Sequence, residues 1–175
     1  VTDKSILDLC GGTGSWSKPY RDAGYDVRLV TLPDQDVRLF VPPANVHGIL
    51  AAPPCTEFSL AKNNCPRDFE EGMSVVAACL KIVWACRINA GLKWWVLENP
   101  RGFLRQFLGA PAFCFQQWEF EDAGIKPTDL WGYFSPPRKR TSVRPDNLTN
   151  TFPNGRGNAK GWSKSAAARA ITPPK

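Results

Sequence analysis

The chain opens with a strand, a glycine-rich turn and a helix, and this unit constrains the fold more than any other feature. The run Ser5–Leu9 is apolar enough to form a buried strand. Cys10 to Ser15 contains three glycines, which suit a tight turn. Ser17 to Ala23 predicts a helix that Gly24 ends. A buried strand that leads through such a turn into a helix is typical of α/β proteins.

Strands and helices go on alternating along the rest of the chain. We predict strands at Tyr25–Leu32, Val46–Ala52, Leu92–Leu97, Phe113–Phe120 and Trp131–Phe134, and helices at Gly72–Ala90 and Phe103–Leu108. This alternation predicts a doubly wound, mainly parallel sheet with helices on both faces. A chain of 175 residues with 43% hydrophobic content suits a single domain. Residues 135–175 are rich in proline, glycine, asparagine and basic side chains, and predict a basic, loop-rich C-terminal segment.

Several classes of protein fit this composition poorly. The longest apolar stretch, Met73–Ile88, contains Lys81 and Arg87 and is shorter than the roughly 20 residues that a membrane span needs. Six cysteines without a C-x-x-C pair favour buried thiols in a reducing compartment over disulfides. The single histidine, His47, lies in a predicted strand, so we expect neither a metal site nor a Ser-His-Asp hydrolase.

The most reactive arrangement follows the third predicted strand. Pro53 and Pro54 stop that strand and place Cys55 at its carboxyl end, where α/β sheets bind their ligands. Glu98 and Asn99 follow the next strand and should emerge at the same edge. A thiol beside a carboxyl that can hold a proton is a nucleophile paired with an acid. The alternatives are a buried structural cysteine and an ordinary loop carboxylate.

Three runs, in this order, resemble motifs of the cytosine-5 DNA methyltransferases, and the compact phage-type members in particular. The first cofactor motif resembles Asp8-Leu9-Cys10-Gly11-Gly12-Thr13-Gly14, the Pro-Cys motif resembles Pro54-Cys55, and the Glu-Asn motif resembles Leu97-Glu98-Asn99. The resemblance implies a class I methyltransferase-like Rossmann fold, with residues 1–175 as the catalytic domain. It also implies S-adenosylmethionine as cofactor and methylation of carbon 5 of cytosine through a covalent cysteine adduct.

The resemblance assigns roles residue by residue. It implies four catalytic residues: Pro54, Cys55, Glu98 and Asn99. It implies a cofactor site made of Asp8, Cys10, Gly11, Gly12, Thr13, Gly14 and Asp36. Cys10 departs from the family, which has an aromatic residue there to shield the adenine. The acidic residue that generally ends the second strand is replaced by Thr31-Leu32-Pro33, with Asp34 as a displaced candidate.

The charge of the chain points to a nucleic-acid partner, and the resemblance implies that this partner is DNA. The net charge is +6, and basic residues become denser toward the C-terminus. Lys126-Pro127-Thr128 resembles the phage-type counterpart of the Gln-x-Arg-x-Arg motif, and the basic run at 138–140 is the alternative in another register. The predicted nucleic-acid contacts are Lys62, Arg67, Lys126, Thr128, Arg138, Lys139 and Arg140. Residues 58–72 are interpreted as a mobile loop that closes over the nucleic acid. A solvated basic tail is the alternative interpretation of the C-terminal charge.

Too few residues follow the last predicted strand for a separate target-recognition domain. Sequence recognition would then come from loops or from a protein partner. The target base would be flipped out of a duplex or presented in single-stranded DNA, in the cytoplasm of a bacterial or phage-infected cell. Two alternatives remain: a catalytically weak or inactive nucleic-acid-binding remnant, and a methyltransferase for exocyclic amines. Ala52-Pro53-Pro54-Cys55 lacks the polar and aromatic residues that the second alternative uses.

Overall fold

The computed structural model describes residues 4–62, 65–89, 91–121 and 124–150. Its strands are β1 (Ser5–Leu9), β2 (Asp26–Val30), β3 (Val46–Ala51), β4 (Trp94–Pro100), β5 (Phe113–Phe115), β6 (Gly124–Ile125), β7 (Thr128–Tyr133) and β8 (Thr149–Asn150). Its helices are α1 (Lys18–Asp22), α2 (Phe69–Asn89), α3 (Leu104–Leu108) and a 3₁₀ helix at Gln117–Phe120.

Six strands form one sheet in the order β2-β1-β3-β4-β7-β5. β2, β1, β3 and β4 pair in parallel, whereas β7 runs antiparallel to both β4 and β5. The α/β class is therefore confirmed, while the expected mainly parallel sheet is a mixed one. The described residues between β5 and β7 contain no α-helix, and a connection without a crossover helix returns the chain antiparallel. β6 and β8 form a separate parallel pair.

Apolar clusters cover both faces of the six-stranded sheet, because successive side chains of a strand point to opposite sides. On one face, Leu9, Ala51 and Leu97 pack in a cluster with residues of α2 and α3. On the other, Leu50 and Val96 pack against Leu130 and residues around α1. The described part of the chain thus has helices on both faces, as the alternation predicts.

The helix α2 begins three residues before the predicted Gly72. The Asp68 carboxylate accepts a hydrogen bond from the amide of Glu71 (2.9 Å) and so caps the helix N-terminus. Glu70 and Glu71 lie in the first turn and Arg87 in the last, which suits the helix dipole. No helix among the described residues is long and apolar enough to cross a bilayer.

The predicted strand Phe113–Phe120 is wrong in its second half. β5 ends at Phe115, and Gln116 then starts the 3₁₀ helix through a capping box with Glu119. Such reciprocal capping satisfies the first amides of a helix, so it competes with continuation of the strand. In the C-terminal segment, residues 135–148 form no helix or strand, as the sequence predicts, whereas Thr149–Asn150 form β8, which the sequence analysis did not predict. Residues 151–175 of the basic C-terminal segment lie outside the described residues.

Candidate active site

The strand order reverses between β1 and β3. The chain passes from β1 to β2 on one side, and then returns to place β3 on the other side of β1. Leu9 pairs with Ala51 in register, and the amide of Ala52 donates to the Leu9 carbonyl (2.9 Å). The crevice outside the carboxyl ends of these two strands is the usual ligand site of an open α/β sheet. The turn after β1 and the turn after β3 both start there.

The buried carboxylate of Asp8 packs against the turn after β1. The Ser17 hydroxyl donates to Asp8 Oδ2 (2.5 Å), whereas Asp8 Oδ1 has no hydrogen-bond partner among the described residues. Burial raises the pKa of Asp8, and the Ser17 hydrogen bond and the charge of Arg21 oppose this rise. A Cβ atom at Gly11 would lie 2.1 Å from Asp8 Oδ1, so only glycine fits above the carboxylate. Gly12 and Gly14 both adopt positive φ, as tight turns require.

Cys10 begins this turn, and the charge of Asp36 acts on its thiol. Cys10 packs against the core, and a hydrogen bond from the Cys79 thiol of α2 lowers the pKa of Cys10. The charge of Asp36 acts on the same thiol in the opposite direction and raises the pKa of Cys10. Arg38 donates to both carboxylate oxygens of Asp36 (Nε to Oδ1, 3.0 Å; Nη2 to Oδ2, 2.7 Å) and lowers its pKa. The Thr13 hydroxyl lies 2.8 Å from that of Ser15.

The turn after β3 carries Cys55 and is closed by its own hydrogen bonds. The Cys55 carbonyl accepts from the amides of Phe58 (3.0 Å) and Ser59 (2.8 Å). Pro54 is exposed, and the carbonyl of the buried Pro53 accepts from Asn99 Nδ2 (3.0 Å). Asn99 is fully buried, and its Oδ1 atom has no hydrogen-bond partner in the part of the chain that the structure describes. Contrary to the sequence expectation, Glu98 and Asn99 lie within β4, which continues to Pro100.

Two opposite charges act on the Cys55 thiol. Glu98 Oε1 lies 3.5 Å from Lys126 Nζ, and only about a sixth of each side chain is exposed (17% and 15%). Burial raises the pKa of Cys55, the charge of Glu98 raises it further, and the charge of Lys126 lowers it. The structure therefore brings together two of the expected catalytic side chains and a lysine that was expected to contact DNA. Thr128, also expected there, is buried and donates its hydroxyl to the Lys126 carbonyl (3.0 Å).

The sequence analysis missed an ion pair between the buried Asp129 and the partly exposed Arg105. Asp129 of β7 is fully buried, and Arg105 of α3 donates to both its oxygens (2.5 and 2.6 Å). Asp129 pairs with Asn99 across β4 and β7, so this pair supports the strand that carries Glu98. The available signal is a carboxylate in the middle of an apolar strand, which is rarely buried without a partner.

Most of the other predicted nucleic-acid residues already have partners in the protein. Lys62 pairs with Glu57 (2.5 Å), and Arg67 donates to three backbone carbonyls. Lys139 and Arg140 pair with Glu119 and Glu121 of the 3₁₀ helix region (2.8 Å each), while Arg138 is exposed. Phe58 is fully buried among aromatic rings, so the start of the predicted mobile loop is packed in the core.

No protein-family model and no curated protein matches this sequence. Within the part of the chain that the structure describes, no three His, Cys, Asp or Glu side chains form a group suited to a metal ion.

Proposed function

We propose that this chain is an S-adenosylmethionine-dependent DNA methyltransferase that methylates carbon 5 of cytosine through Cys55. The observation that carries the proposal is the grouping of Cys55, Glu98 and Lys126 beside the crevice where the strand order reverses. A thiol, a carboxyl group and a cation together are what nucleophilic addition to a pyrimidine ring needs.

The proposed fold is a methyltransferase-like Rossmann fold. The order β2-β1-β3-β4, with a glycine turn and a Pro-Cys turn on either side of the reversal, supports this assignment. The motifs that resemble the cytosine-5 family fall on those two turns and on β4, which lie side by side at one sheet edge.

The residues after β1 fit the proposed cofactor. S-adenosylmethionine carries an ammonium group, ribose hydroxyls and an adenine amine, and all three are hydrogen-bond donors. Asp8 Oδ1 is a buried acceptor that none of the described residues pairs, and the hydrogen bonds from Arg38 favour the charged carboxylate of Asp36. Gly11, Gly12, Thr13 and Gly14 would line the bound cofactor, and Cys10 would support the turn from the core side. The bound cofactor would supply an electrophilic methyl group.

In the proposed mechanism Cys55 adds to carbon 6 of cytosine as a thiolate. Glu98 holds a proton at ring nitrogen 3 and stabilises the enamine that forms, which makes carbon 5 nucleophilic. With a methyl group supplied to carbon 5 by the bound cofactor, water would accept the proton of carbon 5 and ring nitrogen 3 would return its proton to Glu98, while the bond to Cys55 breaks and restores the ring and the thiolate. Lys126 favours the thiolate before the addition, because its charge opposes that of Glu98. Asn99 fixes the Cys55 turn to β4 through the Pro53 carbonyl.

The proposed partner is DNA with the target cytosine flipped out or single-stranded, because carbon 6 is out of reach within a duplex. Arg138, Lys139 and Arg140 form an exposed basic run, which suits phosphate contacts. The ion pairs of Lys139 and Arg140 with glutamates would have to open or be shared. Sequence recognition would come from loops or from a protein partner.

The test is covalent trapping. DNA that carries 5-fluorocytosine, incubated with the protein and S-adenosylmethionine, should give a protein–DNA adduct, because fluorine blocks proton loss from carbon 5. Cys55→Ala should abolish the adduct, and Cys65→Ala, which changes an exposed cysteine, should keep it. Methyl transfer that persists in Cys55→Ala would refute the mechanism. No adduct with any DNA, despite measured cofactor binding, would favour the inactive nucleic-acid-binding remnant.

A further inference from the structure

Arg67 donates its hydrogen bonds among the described residues to the segment that carries Cys55. Its Nη1 atom donates to the Glu57 carbonyl (2.6 Å), and its Nη2 atom donates to the carbonyls of Ser59 (2.9 Å) and Lys62 (2.6 Å). These carbonyls belong to the turn that starts at Cys55 and to the residues that follow it. One guanidinium therefore gathers three acceptors, which its rigid planar fork of donors is suited to do.

The same side chain joins this turn to the connection between β4 and α3. The Arg67 guanidinium lies over the Phe103 ring, 4.7 Å from its centre. The amide of Phe103 donates to the Phe58 carbonyl (2.9 Å), and Ser59 forms a β-bridge with Gly102. A Cβ atom at Gly102 would lie 2.2 Å from the Phe58 carbonyl oxygen, so the two backbones are in direct contact.

We infer that Arg67 is a positioning residue, which holds the Cys55 turn against the connection that follows Glu98. The inference rests on the proposed function, because the distance between Cys55 and Glu98 matters only if both act on one ring. It replaces the expectation that Arg67 contacts DNA. Three of the guanidinium N–H groups already bind carbonyls, and one ring face covers the cation, so a phosphate would have to displace these contacts.

The functional test measures the rate of adduct formation with 5-fluorocytosine DNA at saturating DNA and cofactor. Arg67→Ala should lower this rate about a hundredfold, the size of effect expected when a reacting group shifts by about 1 Å. Arg67→Lys should be nearly as slow, because a single ammonium cannot replace the fork. Added guanidinium ion, at concentrations well below denaturing ones, should partly restore Arg67→Ala and not Arg67→Lys. Arg28→Ala, at an exposed ion pair on β2, is the matched control and should keep the parent rate.

A phosphate contact would give a different pattern. In that case Arg67→Ala would reach the parent rate at saturating DNA, its DNA affinity would fall, and the salt slope of binding would decrease by about one. That pattern would overturn the inference. Cofactor affinity should be unchanged in Arg67→Ala. The described hydrogen bonds of Arg67 all go to carbonyls after Cys55, and none goes to the turn after β1.

A structural measurement separates this inference from the proposed function. Hydrogen exchange at the amides of Phe58 and Ser59 in the free protein should be faster in Arg67→Ala than in the parent and in Arg28→Ala. Equal exchange in all three proteins would overturn the inference whatever the activity. A parent protein that gives no adduct, but whose exchange depends on Arg67 in this way, would overturn the proposed function and support the positioning of the turn.

Discussion

Two turns lie side by side at the same sheet edge and differ in how they are held. The turn after β1 depends on positive φ at Gly12 and Gly14, on a buried carboxylate, and on an oxygen of that carboxylate without a partner. The turn after β3 is fixed by two prolines, by the Cys55 carbonyl and by the side chains of Asn99 and Arg67. Each turn has beside it one buried side-chain oxygen without a partner among the described residues, and this oxygen belongs to the Asp8 carboxylate at the first turn and to the Asn99 amide at the second. Only the second turn is also tied by side chains to a neighbouring strand and to a later segment, through Asn99 and Arg67.

This difference suits two different tasks. A site for a diffusible ligand gains affinity when the ligand completes hydrogen bonds that the free protein leaves open. A nucleophile instead needs a fixed position, since small displacements cost reaction rate. We therefore expect substitutions in the turn after β1 to act on cofactor affinity, and substitutions in the turn after β3 to act on reactivity and stability.

The largest effect should come from Gly11→Ala. Its methyl group would overlap the Asp8 carboxylate, so the carboxylate must move and its bond to Ser17 must break. We expect a loss of about 3 kcal/mol in unfolding free energy and no measurable cofactor binding. Urea denaturation and calorimetry measure these two quantities.

The matched control is Gly12→Ala, whose methyl group would meet nothing within 4 Å. It should lose only the about 1–2 kcal/mol that a left-handed conformation costs an alanine. If the two variants were equally stable and bound cofactor equally well, Asp8 would not support the turn from beneath.

The next effect should come from Asn99→Ala in the other turn. This change leaves the Pro53 carbonyl without its donor and opens a small space in the core. We expect a loss of about 1–3 kcal/mol in unfolding free energy, with cofactor affinity unchanged. Gln106→Ala, at an exposed amide of α3, should be nearly neutral in the same urea titration. A neutral Asn99→Ala would mean that the turn does not depend on this hydrogen bond.

The sequence predicted the strands and turns better than the side chains that fasten them. Ser5–Leu9, Val46–Ala52 and the glycine turn are readable because apolar runs and glycines act through neighbours in the chain. The sequence did not predict the positioning role that we infer for Arg67, because this role depends on carbonyls up to ten residues away and on the Phe103 ring of another segment. Lys126 was expected on DNA, because only the β4–β7 pairing brings it to Glu98.

The rate of Cys55 alkylation measures how the neighbouring charges act on its thiol. Iodoacetamide reacts with the thiolate, and burial and the charge of Glu98 raise the pKa of Cys55 above the ordinary value of 9.0, so alkylation should still accelerate as the pH rises past 9.0. At neutral pH, Glu98→Gln should speed alkylation and Lys126→Met should slow it, each by roughly threefold to tenfold. Mass spectrometry of the Cys55 peptide measures both rates, with the exposed Cys65 as internal reference.

The same Glu98→Gln variant should slow adduct formation with 5-fluorocytosine DNA by orders of magnitude. Faster alkylation of Cys55 together with slower adduct formation would separate two roles of Glu98. One is the effect of its charge on the Cys55 thiol, and the other is proton donation to the base. Slower alkylation in Glu98→Gln would contradict the electrostatic account of Cys55.

The smallest change in unfolding free energy should come from Asp8→Asn. This variant tests whether the buried Asp8 carboxylate, which we expect to bind the cofactor, lowers the stability of the free protein. Burial raises the pKa of Asp8, so the folded protein binds this proton more tightly than the unfolded chain does. The stability of the parent relative to the variant should therefore fall as pH rises from below 3.8 through the raised folded pKa. At neutral pH the variant should be more stable by less than about 1 kcal/mol, because the unpaired amide of Asn offsets much of the stability gained by removing a buried charge.

The cofactor affinity of Asp8→Asn should nevertheless fall, since the Asn amide places an N–H donor opposite the N–H and O–H donors of S-adenosylmethionine. Urea titrations of both proteins from acid to neutral pH measure the first effect, and calorimetry measures the second. A stability difference that did not change with pH would show that the Asp8 carboxylate is not strained by burial, and the contrast between the two turns would then rest on their hydrogen bonds alone.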